Sequence, residues 1–415
     1  METKTACESD VQKWLKVALA EENLATFIVN ITGSSEKGDG YVGDVIFVVV
    51  VGTDKQGTNK EYHLVLKCSK PSAALMKNAP AFRKAFAREA YLYQHVFPLF
   101  EQFQISKGIE KPFDSVPKCY GVYSDEFRYV IVLENLKKLG YDLWPKAKPL
   151  TREVIDIVIK DYAKFHATSV ALEEQQLEIF QKLLNGSAED LLKGVIETAS
   201  FVNMFQGAVD EVYELLTDDV EKDILEQWLK LKDKICFIFS EMTSAAGDLK
   251  VINHGDSWVN NFLYKFENEE KTSVSRVAIL DWQISKFTSP VTDLSYFLFA
   301  GISEENIADI DTILKDYYRY FCEYLRRLDS KFADMYTVEN FLDWWKKYSK
   351  YGLVMCILPI KSLYSEKKDL PDMAEVANRG IDVGESFKFE TSDKNGFKNR
   401  LRPIVEYAVQ NSLIY

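Results

Sequence analysis

An acid and an amide five residues apart carry the strongest chemical signal in this sequence. Residues 254–261 read His-Gly-Asp-Ser-Trp-Val-Asn-Asn, so Asp256 is followed by Asn261 in a loop that begins with His254. The carboxylate could accept the proton of an attacking hydroxyl, while the amide could turn back to hold a metal ion on phosphate groups. The pair therefore predicts phosphoryl transfer, with Asp256 as the base and Asn261 as a metal ligand.

A second acid is the other expected metal ligand. Asp281 follows the apolar run Ala-Ile-Leu at 278–280, which predicts a short buried strand that directs the acid into the same cleft. Two oxygen ligands from different elements suit Mg²⁺, a hard cation that otherwise keeps water and phosphate oxygens. The sequence therefore predicts that Asn261 and Asp281 bind one Mg²⁺ ion.

A glycine-rich segment predicts a site for nucleotide phosphates. Gly38, Gly40 and Gly43 fit the pattern Gly-x-Gly-x-x-Gly-x-Val. Glycines let the backbone approach phosphate oxygens, which the amides then cradle. A glycine-rich hairpin turn is the simpler alternative, and Asp39 at the tip is a mismatch because a carboxylate repels phosphate.

A lysine at the end of an apolar strand points to the same ligand. Lys67 follows Leu-Val-Leu at 64–66, a position where an ammonium group is unusual unless it meets an anion. We predict that Lys67 contacts the phosphates; a lysine reaching solvent, or a role for Lys70 instead, are the alternatives. Glu89 lies in a helical stretch from which it could pair with Lys67, the alternative being a surface acid beside Arg88.

These motifs together resemble one family of proteins. His-Gly-Asp-x-Trp-x-x-Asn at 254–261, followed by Asp-Trp-Gln at 281–283, is similar to the ecdysteroid-kinase-like (CHK kinase-like) family of insects. That family is a branch of the choline kinase and aminoglycoside phosphotransferase group. The resemblance extends from the glycines near Gly38 to the helices beyond Asp293. It implies an α+β, two-lobed protein-kinase-like fold that uses ATP and Mg²⁺.

The resemblance also implies roles for residues that carry little signal of their own. Glu134 and Leu136 would belong to the hinge whose backbone binds adenine, and Asp293 would brace the catalytic loop through its amides. His254 would orient that loop by hydrogen bonding rather than bind metal. His166 lies on the apolar face of a predicted helix, and we interpret it as a core histidine.

The pattern of apolar residues divides the chain. It changes from a period of two to a period of 3.6 near Leu136. We predict an N-terminal helical segment over residues 1–32, a nucleotide-binding N-lobe over 33–135, and a helical C-lobe over 136–415. The C-lobe would contain the catalytic loop and the acceptor pocket.

Composition and charge limit the partners. The 415 residues, 47% of them hydrophobic and 27% charged, are typical of a globular enzyme. The net charge of −12 argues against a nucleic-acid partner, which needs a basic surface, and against attraction to anionic membranes. We expect a monomer that acts on a small-molecule alcohol.

The cysteines and the N-terminus predict a cytoplasmic location. None of the six cysteines has Cys-x-x-Cys spacing, and several lie in apolar runs, so we expect buried reduced thiols. The first residues lack the apolar core of a secretory signal, and the longest apolar runs are far shorter than a membrane span.

The residues around the catalytic acid favour a small, apolar acceptor. Trp258 occupies the position where Ser/Thr protein kinases have a lysine, and the stretch from Asp281 to Asp293 is too short to dock a peptide. Aromatic residues at 201–205 and 341–351 have the helical spacing that is usual for core residues. The family's link to steroid alcohols implies that some of them could instead line a pocket for an ecdysteroid or xenobiotic alcohol. Two alternatives stay open: a choline or aminoglycoside-type kinase with a cationic acceptor, and an inactive ligand-binding protein.

Overall fold

The computed structural model describes residues 7–34, 43–69, 80–126, 128–187, 199–240, 249–371 and 382–414, together with Val376 and Arg379. Two lobes make up this part of the chain. The first contains a β-sheet and the second is mostly helical. The predicted α+β, two-lobed kinase-like fold is confirmed. None of the described helices combines the length and the apolar character needed to cross a membrane.

The N-lobe is a five-stranded antiparallel sheet with helices on both faces. In chain order its elements are α1 (Glu8–Ala18), β1 (Leu24–Ser34), β2 (Gly43–Asp54), β3 (Asn59–Ser69), α2 (Pro80–Tyr91), α3 (Phe97–Ser106), β4 (Cys119–Ser124) and β5 (Tyr129–Glu134). The strands lie in the order β1-β2-β3-β5-β4. A π-helical turn, Leu92–Val96, joins α2 to α3.

The alternation of side chains along β3 assigns Lys67 to one face of this sheet. Leu66 and Cys68 belong to the apolar cluster that packs under α1. Because neighbouring residues of a strand point to opposite faces, Lys67 points the other way, towards α2. Its partner in register on β5, Ile131, packs in a separate cluster with Ala90 of α2. The lysine is therefore directed at α2 by the strand itself.

The prediction of a helical segment over residues 1–32 is wrong for its second half. Helix α1 ends at Ala18, and the chain then forms β1, which pairs with β2 from Leu24 opposite Asp54 to Ser34 opposite Ile46. β1 lies at the edge of the sheet, and most of its residues are exposed on both faces. An exposed edge strand lacks the two-residue apolar alternation by which strands are predicted. The division at residues 135 and 136 stays a prediction.

The C-lobe surrounds its catalytic segment with helices. These are α4 (Arg152–Gln175), α5 (Leu177–Ser187), α6 (Ala199–Leu216), α7 (Lys222–Leu229), α8 (Ile235–Phe239), α9 (Val291–Gly301), α10 (Glu304–Ile307), α11 (Ile310–Arg327), α12 (Val338–Tyr348), α13 (Lys350–Met355), α14 (Ile357–Leu363), α15 (Val383–Ser386) and α16 (Lys394–Gln410). Every residue of α9 is buried, so this helix lies at the centre of the lobe.

Short strands carry the catalytic segment. They are β6 (Tyr141–Asp142), β7 (Val251–Ile252), β8 (Phe262–Phe266), β9 (Val274–Ile279) and β10 (Phe287–Thr288). β6, β8 and β9 form one antiparallel sheet, and β7 pairs with β10. The loop from His254 to Asn261 lies between β7 and β8, and Asp281 follows β9 by two residues. The pairing of β8 with β9 therefore brings the ends of both segments together.

Candidate active site

Lys67, Glu89 and Asp281 meet at one point between the lobes. The Lys67 Nζ lies 2.6 Å from Glu89 Oε2 and 3.0 Å from Asp281 Oδ1. Glu89 is only 1% exposed, so it is not the surface acid that was the alternative. Burial alone would lower the pKa of the Lys67 ammonium, but Asp281 and Glu89 raise it, and the net shift of the pKa is upward. The lysine is therefore held in its charged form.

Helix α2 is also tied to the segment that follows Asp281. Gln283 Nε2 donates to Glu89 Oε2 at 3.3 Å, and Arg88 donates to the carbonyl oxygen of Ser285. These contacts link α2 of the N-lobe to the C-lobe segment between β9 and β10, which also contains Asp281. The contact with Gln283 thus helps to fix the position of Glu89, and Glu89 in turn helps to fix that of Lys67.

The backbone at Asp281 is in the left-handed region. Its φ angle is +62°, which is uncommon for a residue other than glycine, although Asp and Asn tolerate it best. The preceding amide, of Leu280, donates to the Asn261 carbonyl oxygen at 2.8 Å. The main chain at Asn261 is consequently bonded to the residue before Asp281, and the Asp281 carboxylate lies against Lys67.

The carboxylate of Asp256 is hydrogen-bonded at both oxygens. Asn261 Nδ2 donates to Oδ2 at 2.8 Å and to the main-chain oxygen of Asp256 at 2.9 Å. Tyr296 donates from its hydroxyl to Oδ1 at 3.1 Å. Burial, and then the negative charge of Asp281, raise the pKa of Asp256 to about 7. Such a pKa is suited to a group that accepts a proton near neutral pH.

The donor atoms near Asp256 fit a magnesium ion. Asn261 uses its amide NH₂ group for both bonds to Asp256, and no described residue donates a hydrogen bond to its amide oxygen. Asp281, the next residue after the Leu280 amide that donates to the Asn261 carbonyl oxygen, contributes a carboxylate. One or two protein oxygens, completed by water and phosphate oxygens, are the usual protein share of a Mg²⁺ site.

Asp293, in the first turn of α9, holds the catalytic loop through hydrogen bonds. Its Oδ2 accepts from the His254 amide at 2.7 Å, and its Oδ1 accepts from the Gly255 amide at 2.8 Å and from Ser257 Oγ at 3.0 Å. Burial alone would raise the pKa of Asp293, but hydrogen bonds, the largest from His166, lower it overall. This is the contact that family resemblance implied for an acid at this position.

The two histidines have the environments expected of them. His254 Nε2 donates to the carbonyl oxygen of Leu280 at 2.7 Å, which connects the loop to the residue before Asp281. Burial lowers the pKa of His254, so the ring is neutral. His166 is fully buried, and its two nitrogens contact Tyr317 and Asp293 at 2.8 Å and 3.2 Å. His254 is thus placed to orient the loop, and His166 is a satisfied core residue.

The glycine pattern is only partly within the described residues. Gly38 and Gly40 lie outside them. Gly43 begins β2, and a Cβ atom there would come within 2.7 Å of the Phe86 ring and 2.8 Å of the Cys68 carbonyl oxygen. Close packing against α2 is sufficient to require glycine at this position. The nucleotide role predicted for the three glycines stays a prediction.

The predicted hinge connects the lobes. Glu134 is the last residue of β5, and Leu136 begins a short 3₁₀ helix, Leu136–Leu139, that Asn135 caps. Leu136 is buried against Ala278 of β9. The segment therefore lies beside the strand that leads to Asp281, where a bound base could reach its backbone.

A mostly apolar pocket opens next to Asp256. It has a volume of about 200 Å³. Its lining residues are Met204, Phe205, Asp256, Trp258, Tyr296, Met355, Leu358, Pro359, Ser362 and Phe387. Among the aromatics that the sequence suggested, Phe205 lines this pocket, whereas Phe341 and Trp345 are buried in the main core. Tyr296 and the two methionines were missed, because within apolar helices they have the pattern of core residues.

The fold and this cleft define a kinase-like protein. The chain belongs to the ecdysteroid kinase-like family, whose model matches residues 37–330. No curated protein sequence matches it significantly.

Solved structures with similarity to the chain are distant. Glucosamine kinase (crystal form B) is 12% identical, with 88% of this chain and 96% of that chain covered and a TM-score of 0.28. Glucosamine kinase in complex with glucosamine, ADP and inorganic phosphate is also 12% identical, with 91% and 99% covered and a TM-score of 0.29. Similarity at this level gives no information on the acceptor of this chain.

Removing the bracing acid should destabilise the protein. We expect Asp293→Ala to lower the free energy of unfolding by about 3 kcal/mol, because buried donors of the catalytic loop lose a charged acceptor. Chemical denaturation followed by tryptophan fluorescence measures this change. Asp343→Ala, at an exposed site on α12, is the matched control and should change it by less than about 0.5 kcal/mol. Equal effects of both substitutions would contradict the bracing role.

Proposed function

We propose that the protein is an ATP- and Mg²⁺-dependent kinase that phosphorylates a hydroxyl group of an apolar small molecule, such as an ecdysteroid or a xenobiotic alcohol. The observation that carries this proposal is that Asp256 borders both the cleft and the apolar pocket. Its carboxylate is bonded to Asn261 in the cleft that contains Lys67 and Asp281, and it also lines the apolar pocket. A hydroxyl held in that pocket would face the base and the phosphates together.

Each residue of the cleft has a separate role in phosphoryl transfer. The acceptor oxygen attacks the γ-phosphorus, the bond to the bridging oxygen of ADP breaks, and Asp256 takes the hydroxyl proton. Lys67 binds the phosphates, and Glu89 fixes the position of Lys67 through their 2.6 Å contact. Asn261 and Asp281 would hold Mg²⁺, which neutralises charge on the phosphates when bound.

The remaining nucleotide contacts come from the N-lobe. The backbone at Glu134 and Leu136 would bind adenine, and the amides around Gly38, Gly40 and Gly43 would cover the phosphates. The position of Leu136 beside β9 supports the first role. The second is supported by the pairing of β2 with β3, since Gly43, at the start of β2, lies opposite Ser69, two residues from Lys67.

The chemistry of the pocket favours a neutral, apolar acceptor over a polycationic one. Asp256 is the sole carboxylate among its described lining residues. A polycationic acceptor of the aminoglycoside type would leave several ammonium groups with a single carboxylate, which costs free energy unless further acids are present. Aromatic rings can bind the quaternary ammonium of choline, so choline is tested directly in the panel below. Intact Asp256, Asn261 and Asp281 favour catalysis over an inactive ligand-binding protein.

The charge and the thiols support a proposal for the compartment and the partners of the enzyme. We infer a cytoplasmic monomer that binds neither nucleic acid nor membranes. The net charge of −12 supports the absence of a polyanionic partner. The six cysteines are all free, and Cys68, Cys322 and Cys356 are buried, which suits a reducing compartment.

A panel of acceptors tests this proposal. Purified protein is incubated with Mg²⁺ and radiolabelled ATP together with ecdysone, para-nitrophenol or choline, and transfer of label is measured. We expect label on ecdysone or on the phenol, and none on choline. Asp281→Asn protein, purified identically, is the control for contaminating kinases. Label on choline alone would establish the cationic alternative and contradict the proposed acceptor class.

A further inference from the structure

We propose that Tyr296 is a positioning residue of this site, which holds the Asp256 carboxylate in the orientation from which it accepts the acceptor's proton. The inference rests on the proposed function. Neither the motif spacing nor the resemblance to a family pointed to this residue. It stands 40 positions from Asp256 in sequence, yet its hydroxyl lies 3.1 Å from Oδ1.

The hydrogen bonds around Asp256 fix the plane of its carboxylate. Tyr296 donates to Oδ1 while Asn261 donates to Oδ2 at 2.8 Å. Each oxygen of a carboxylate can accept about two hydrogen bonds, so a further acceptor site remains for the substrate hydroxyl. With Asn261 alone, the carboxylate could still turn about the bond to its Cβ. The second donor, from the opposite side, removes that freedom.

Tyr296 acts as a donor and not as a second base. The side chain is 2% exposed, and burial raises the pKa of its hydroxyl well above the ordinary value. The phenol is therefore neutral, and its hydroxyl donates a hydrogen bond to the Asp256 carboxylate. It contacts the base directly, while lining the pocket in which the acceptor would lie.

One helix positions both parts of the catalytic loop. Asp293 and Tyr296 are three residues apart on α9, so their side chains lie on the same face of the helix. Asp293 binds the main-chain amides of His254 and Gly255, and Tyr296 binds the side chain of Asp256. The buried helix α9 therefore fixes the position of the Asp256 carboxylate relative to the main chain of the catalytic loop.

Helix α13 packs tightly against this part of α9. A Cβ atom on Gly352 would come within 2.3 Å of the Ser295 carbonyl carbon and 2.5 Å of the Tyr296 amide nitrogen. The close approach of the two helices hence requires glycine. The neighbouring Tyr351 donates to the Gly255 carbonyl oxygen at 3.1 Å, and its ring contacts that of Tyr296 edge to face. Both Tyr296 and the main chain next to Asp256 are thus in contact with α13.

Tyr296→Phe tests this role because it removes only the hydroxyl. With the panel alcohol that wild-type protein phosphorylates fastest, we expect kcat to fall by about 10- to 100-fold, the loss of one hydrogen bond to a charged group. The KM for ATP should stay close to that of the wild type, and the midpoint of thermal unfolding should fall by no more than a few degrees. Misplacement of the base affects the chemical step and leaves nucleotide binding intact.

Tyr264→Phe is the matched control. Tyr264 lies on β8, its ring is fully buried, and its hydroxyl has no hydrogen-bond partner in the described part of the chain. Loss of this hydroxyl should leave kcat, the KM for ATP and the unfolding midpoint unchanged. The control separates the loss of a buried hydroxyl as such from the loss of the bond to Asp256.

The possible results distinguish the inference from the proposed function. Unchanged kcat in Tyr296→Phe, with an active wild type, would overturn the inference and leave the kinase function intact. A fall in kcat accompanied by a higher KM for ATP and a lower unfolding midpoint would show a general structural role, which also overturns it. No transfer by wild-type protein to any alcohol would overturn both.

Discussion

We expect Asp281→Asn to abolish phosphoryl transfer, with a loss on the order of 10³-fold or more, because a bound metal supplies several kcal/mol of charge stabilisation. The affinity for Mg²⁺-nucleotide should fall as well. Asparagine keeps the size of the side chain and tolerates the left-handed backbone at this position. The substitution thus removes the charge with little change of structure. Steady-state kinetics at saturating Mg²⁺ measures the effect.

Asp281→Ala separates the charge from the backbone strain. Alanine should reduce turnover as much as asparagine does, but it should also lower the free energy of unfolding by about 1 kcal/mol more, because a φ of +62° disfavours it. Near wild-type activity of either variant at saturating Mg²⁺ would show that Asp281 is not a metal ligand.

The second large effect is expected at the base. Asp256→Asn should lower kcat by about 10²- to 10⁴-fold, the usual contribution of a general base, and leave nucleotide affinity nearly unchanged. Its role begins only when an acceptor hydroxyl attacks. Lys67→Ala should reduce both the rate and the affinity for nucleotide, because the ammonium contacts the phosphates in every bound state. Titration of each variant with Mg²⁺-ATP, together with kcat, gives the comparison.

A lysine elsewhere on the same strand controls for the change of charge. Lys60 is exposed near the other end of β3, and Lys60→Ala should leave the kinetics and nucleotide affinity unchanged. An equal loss of nucleotide affinity in Asp256→Asn and Lys67→Ala would mean that Asp256 is a structural or metal-binding acid. The contrast between the two variants therefore tests the division of roles within the cleft.

The parts of the site that could be predicted from sequence are those with a local pattern. Asp256 and Asn261 lie in one short loop, so their spacing alone predicted one site for both, and the structure has Asn261 Nδ2 2.8 Å from Asp256 Oδ2. Lys67 stood out because an ammonium group at the end of an apolar strand requires an anion. The pairing of Glu89 with Lys67 could be predicted only in part, because the packing of α2 on the sheet determines which face of the helix meets β3.

The parts that could not be predicted depend on packing between distant segments. Tyr296 lies in a helix in which every residue is buried, so its hydroxyl is hidden among apolar neighbours in the sequence pattern. The requirement for Gly352 comes from the approach of a second helix. β1 was missed because an exposed edge strand does not alternate. In each case the contact joins segments that are far apart in sequence, and the local sequence pattern does not predict it.

The measurement that tests the kinase assignment most directly is mass spectrometry of the acceptor after incubation with Mg²⁺-ATP. We predict a phosphate monoester of an apolar alcohol in the reaction with wild-type protein, and at least about 10²-fold less of it in the parallel reaction with Asp256→Asn, although both proteins bind ATP. Full nucleotide binding by the wild type without a phosphate ester of any alcohol would contradict the assignment. The protein would then be a ligand-binding relative that keeps the cleft without the reaction.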